Sequence, residues 1–160
     1  MVELVMVVML LGILSVTAMS RFVGADTFAT RTVAQQIIAQ IRYAQQIASS
    51  RQDAQISLVV DYSGSDWRFT IVSSVDGVIK TEQVERANTS LQVVNGVLVR
   101  PIDATQAMQL AFDAFGDLSG LTLGVTPGTP ADGVWVQVSG DSPHSVCVYP
   151  NGYAANGSCG

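Results

Sequence analysis

The residues with chemistry to offer are few and far apart. Cys147 and Cys159 both fall in the last fourteen residues, in a stretch rich in Gly, Asn and Pro. That placement predicts a disulfide closing a small loop, stabilising by about 3 kcal/mol on a loop-entropy argument. Such a bond implies an oxidising compartment. The competing readings are two unrelated buried thiols, or a zinc site for which His144 is the only nearby ligand. His144 is the sole histidine and sits in DSPHS with no nucleophile pattern beside it, so it reads as an exposed loop residue. Asp61 and Asp66 flank a Ser-Gly-Ser turn without the dense oxygen spacing of a calcium loop, and a hairpin explains them better. Trp67 and Trp135 lie in strand-like runs and read as packing residues. No Ser/His/Asp order, phosphate loop or metal motif is present. The expectation is therefore no enzymatic activity, no catalytic residue, no metal, no cofactor and no small-molecule substrate.

One charged residue stands out by its surroundings. Glu3 is the only charge before Arg21. The uncharged run over residues 4–20 opens on Leu4, carries Gly12 and Leu14, and closes on Ser20. At 1.5 Å per residue it reaches about 25 Å, which predicts a short or tilted membrane span. No basic residue precedes it and Glu3 has the wrong sign for a leader, so a cleavable signal peptide fits poorly.

Charge elsewhere excludes a class of partner. The net charge is −5, and all eight Lys and Arg fall before residue 101. Residues 101–160 hold five Asp (103, 113, 117, 132 and 141) and no cation to neutralise phosphates. Nucleic acid is not an expected partner.

The positioning elements follow from periodicity. After Asp26, apolar residues at Val33, Ile37, Ile41, Ala44 and Ala48 form one helical stripe. Together with the apolar run this predicts a single helix of about fifty residues, greasy all round in its first half and amphipathic in its second. Beyond Asp53 the pattern alternates. AQISLVVDY and DWRFTIVSS around Ser63-Gly64-Ser65, GVIKTEQV, LQVV and VLVR around Asn95-Gly96, MQLAFDAF, VWVQVS and SVCVY give about eight strands. Pro101 is expected to end the fifth, and TLGVTPGTPADG to be a long loop. The predicted fold class is α+β, a long N-terminal helix packed on one antiparallel sheet. The expected division is a transmembrane or filament-core helix over residues 1–23 and a globular domain over 24–160. Within the latter, 24–52 form the amphipathic half-helix and 53–160 the sheet with its C-terminal disulfide loop.

The start VELVMVVMLLGILSVTAMSRF resembles the mature N-terminus of the type IV pilins and type II secretion pseudopilins. The likeness rests on Glu3, Gly12-Ile13-Leu14 and Arg21-Phe22. AQQIIAQIRYAQQIASSRQDAQISLVV, LAFDAFGDLSG and VCVYPNGYAANG resemble the GspH/FimT branch of minor pilins. SRF, Phe28 and IRYAQQIA are most similar to minor pilins of mannose-sensitive haemagglutinin (MSHA) pili. Three departures accompany the likeness. The chain starts at Met1 where the third mature residue is expected, so no peptidase site can be assigned. Ser20 stands where the family often has Pro, which removes an expected kink. The basic C-terminal residues of DNA-binding FimT proteins have no counterpart.

The resemblance implies a minor pilin that takes part in assembling an MSHA-type pilus, polymerising through its N-terminal helix with other major and minor pilins. Glu3 would set register by pairing with the N-terminal amine of a neighbouring subunit. Alternatively, Glu3 is a favourable charge near a helix N-terminus at headgroup level. The implied location is the inner membrane, single-pass with the C-terminal domain periplasmic, and then the surface pilus. Two other roles remain open at this point: a pseudopilin of a type II secretion machine, and a tip adhesin using the acidic, Gly-rich end.

Overall fold

The computed structural model describes residues 2–22, 25–95, 98–128, 130 and 132–159, without the side chains of residues 14–27 and 98. Two helices lead the chain, α1 (Val2–Phe22) and α2 (Ala25–Ser50). Eleven strands follow: β1 (Ile56–Ser63), β2 (Asp66–Ser73), β3 (Gly77–Glu85), β4 (Ser90–Asn95), β5 (Leu98–Ile102), β6 (Met108–Phe112), β7 (Leu118–Leu123), β8 (Thr126–Gly128), β9 (Val134–Ser139), β10 (His144–Val148) and β11 (Ala154–Asn156).

These strands build two antiparallel sheets. One has six strands in the order β3-β2-β1-β6-β7-β8, the other five in the order β11-β10-β9-β4-β5. The chain visits them alternately: three strands in the first, two in the second, three in the first and three in the second. Alternation sets which side chains are inside. In β2, Trp67, Phe69 and Ile71 are buried while Arg68, Thr70 and Val72 face outward. Ile56, Leu58 and Val60 of β1 and Val134, Val136 and Val138 of β9 are fully buried too. One hydrophobic cluster joins these strands to α2, whose Val33, Ile37, Ile41, Ala44 and Ala48 have no exposed surface. The five-residue stripe read from the sequence is the buried face of α2, and it packs against strands of both sheets.

The expected fold class is overturned. The chain is not a long helix packed on one sheet but a mostly β molecule of two sheets, with two helices in place of one of about fifty residues. Periodicity reports that a strand has one buried face; it carries no information on which strands pair, so two sheets read as one.

Three strands went unpredicted. β7 lies mostly ahead of the stretch expected to be loop and runs into its first two residues, β8 falls inside that stretch, and β11 lies in the Gly- and Asn-rich tail. Pro101 does not end β5 but sits inside it opposite Gln92. β5 is the edge of its sheet, where a residue without an N–H leaves no ladder bond unmade on its open side. His144 is not an exposed loop residue either. It opens β10 opposite Val138 and is half-buried.

The expected single-pass inner-membrane location is overturned as well. Among the described residues no helix is long and apolar enough to cross a membrane.

Candidate assembly surface

α1 is rich in Val, whose branched side chain is a mediocre helix former, but Leu and Met offset it. Glu3 lies in the first turn, where a carboxylate complements the unsatisfied N–H groups and the helix dipole. Every side chain described on this helix is exposed. Leu4 is 72% exposed, and even the least exposed large side chain, Val7, is 51% exposed. A Cβ on Gly12 would meet nothing within 4 Å among the described residues beyond its own helix. Leu14 and Ser20 lie in α1, with side chains outside the described ones. Glu3 meets no cation in ion-pair range among the described residues.

A surface of Val, Leu, Met and Ile this continuous is characteristic of an interaction site. Burying one such side chain against a partner is worth about 1.5–3 kcal/mol. Among the described side chains of this surface, Glu3 is the one ionisable group.

A second region anchors the other helix. Cys147 in β10 is bonded to Cys159, closing a loop that contains β11 and the turn before it. That turn is tied by Tyr149 N–H donating to the Tyr153 carbonyl at 2.8 Å, and Gly152 N–H to the Tyr149 carbonyl at 2.9 Å. It meets α2 through Gln45, whose Nε2 donates to the Asn151 carbonyl at 3.0 Å. Arg42 Nη2 donates to the Ala154 carbonyl at 3.2 Å, and its guanidinium lies 5.6 Å from the centre of the Tyr153 ring. Tyr153 in turn stacks on Tyr149 with centroids 6.2 Å apart.

The β6–β7 turn reaches the same place. Asp113 Oδ1 accepts from the N–H groups of Phe115 and Asp117 at 2.9 and 3.0 Å, shaping the turn that presents Gly116. Gly116 and Gly152 both have positive φ, +86° and +74°. A Cβ on Gly152 would overlap the Gly116 carbonyl oxygen, and one on Gly116 would stand 2.9 Å from Gln45 Cγ. Leu118 N–H donates to the Pro150 carbonyl at 2.8 Å, so the first sheet is stitched to the tail of the second beneath the end of α2. Sequence reading found the disulfide, but nothing in the local pattern pairs Arg42 with Tyr153, more than a hundred residues apart.

The remaining candidates serve the fold. Asp61 accepts two bonds from Arg68 across the β1–β2 hairpin, at 2.8 and 2.7 Å, and this raises the Arg68 pKa further. Trp67 is buried and donates from Nε1 to Thr89 Oγ1 at 2.8 Å. Trp135 is half-buried on β9, its Nε1 without a partner among the described residues. Asp103 shapes the β5–β6 connection. It accepts from the Thr105 hydroxyl at 2.7 Å, the Thr105 N–H at 2.7 Å and the Gln106 N–H at 2.9 Å. The Thr105 hydroxyl above all, with the two backbone donors, holds its pKa below the usual value. Among the described residues no group of three His, Cys, Asp or Glu could hold a metal ion.

No protein-family model, no curated protein and no solved structure matches this chain.

Proposed function

We propose that this chain is a filament subunit of the type IV pilin and pseudopilin class, a minor pilin that helps assemble an MSHA-type pilus by joining neighbours through α1. The observation that carries this reading is the unpacked apolar helix with a lone carboxylate in its first turn, attached to a β body that has its own complete core. The resemblance of VELVMVVMLLGILSVTAMSRF to the start of mature pilins supports the same assignment.

The physical logic is intermolecular. Apolar side chains left in water by one copy are covered by the helices of its neighbours, and the gain grows with each covered residue. Glu3 then enters an apolar surrounding, where an unpaired carboxylate is costly. It must find a cation or donor on the adjoining subunit, and that requirement selects one register. Cys147–Cys159 keeps the tail closed under oxidising conditions.

The test is substitution of Glu3 in the full-length gene in a pilus-assembling cell. Glu3→Ala and Glu3→Leu are expected to leave protein levels unchanged and to reduce this subunit's recovery in sheared surface filaments. Normal recovery of both variants would sink the registration role.

A further inference from the structure

A shallow groove of about 390 Å³ runs between α2 and β11. Ile38 and Ala39 form its apolar floor, with Gln35 and Arg42 at its two ends along the helix and Tyr153 and Asn156 opposite. Arg42 is the one cation among the described residues lining it. Its guanidinium is positioned by the Tyr153 ring and the Ala154 carbonyl. No carboxylate among the described residues pairs with it, so most of its five N–H donors are available.

We infer that this groove receives α1 of a second copy of the chain, with Glu3 of one protomer paired to Arg42 of the other. The two surfaces match in charge: an exposed carboxylate without a cation, and a held guanidinium without a carboxylate. They match in spacing as well. Glu3, Met6, Val7 and Leu10 lie along one face of α1, and Arg42, Ala39, Ile38 and Gln35 along one face of α2. Each row covers seven residue steps, about 10.5 Å. With Glu3 on Arg42, Met6 and Val7 fall on the Ile38–Ala39 floor and Leu10 reaches Gln35, which makes the two helices antiparallel.

The contact is self-complementary. Each copy offers one α1 and one groove, so a two-fold pair satisfies both at once and closes. Such a pair covers part of the apolar helix and must open before α1 can join a filament. The inference rests on exposed α1 and the groove, not on the filament reading, and the two fail separately.

The experiment is sedimentation equilibrium of the purified full chain, with circular dichroism to confirm the fold of each variant. The expected result is a concentration-dependent dimer that weakens as salt is added. Glu3→Arg alone and Arg42→Glu alone should each weaken it about tenfold, an attraction being lost and a repulsion gained. The double reversal should return the affinity to within about threefold of the original. Ala39→Trp fills the groove from an exposed position and should also abolish pairing. A monomer at all concentrations, association indifferent to Arg42→Glu or Ala39→Trp, or a double reversal that fails to restore it would each overturn the inference.

Discussion

α1 and α2 follow one another in the chain and have opposite fates. α2 has an apolar stripe a few residues wide, and two sheets cover it completely. The described side chains of α1 are all exposed, and apolar save for Glu3. A stripe can be satisfied within one molecule because a single core can reach it. A helix that is greasy all round can be satisfied only by being surrounded, and this β body spends its inner faces on α2 and on itself. The difference separates a helix packed into the core from one whose described side chains stay exposed, and it is open to direct attack.

The largest effect should come where α2 is locked to the tail. Gly152→Ala places a Cβ into the Gly116 carbonyl at a backbone φ of +74°. Strain and overpacking together should cost about 3–5 kcal/mol in urea unfolding. A loss under 1 kcal/mol would show that the junction is loose and α2 is held by its stripe alone.

Next comes the contrast between the helices themselves. Ile37→Ala in the buried stripe should destabilise by about 2–5 kcal/mol. Leu10→Ala in α1 should leave unfolding of the monomeric chain within about 0.5 kcal/mol, as for an exposed site. Equal losses at both positions would end the distinction between the packed and the exposed helix.

Reduction of Cys147–Cys159, or Cys147→Ser with Cys159→Ser, should cost about 3 kcal/mol by releasing the tail that caps α2. Hydrogen exchange should then rise at β11 and at the C-terminal end of α2, and remain unchanged along α1.

The smallest effect concerns pH. Asp103 has a depressed pKa in the fold, because the Thr105 hydroxyl and two backbone N–H groups favour its ionised form. Its contribution is therefore fully present above the unfolded carboxylate value of about 3.9 and is lost as pH falls through the lower folded value. Asp103→Ala should lower the melting temperature slightly at pH 7, and the gap to the parent should close as pH drops below about 4. A gap that widened on acidification would have the sign wrong.

How much was legible can be judged element by element. The α2 stripe was readable because helical period and burial coincide at Val33, Ile37, Ile41, Ala44 and Ala48. Both hairpins named from Ser63-Gly64-Ser65 and Asn95-Gly96 join strands that do pair. The disulfide was legible because two thiols twelve residues apart in a turn-rich tail have little else to meet. β7 and β8 were not, since Gly120, Gly124, Pro127 and Gly128 look like loop chemistry, and their pairing with β6 and with each other supplies the order. The Arg42–Tyr153 groove was invisible because it exists only where the chain's tail returns to a helix formed near its start.

The amino-acid order by itself pointed to the local matters: several of the turns, which face of each element is apolar, two cysteines placed to close the tail, and an uncharged run over residues 4–20. These depend on neighbours within a few residues, and short-range sterics and periodicity decide them. Only the tertiary structure decided that the strands divide between two sheets, that α2 packs against both, that Pro101 belongs to an edge, and that Gln45, Gly116 and Gly152 converge. Those outcomes turn on which buried faces find each other across long stretches of chain, and burial is a property of the whole fold.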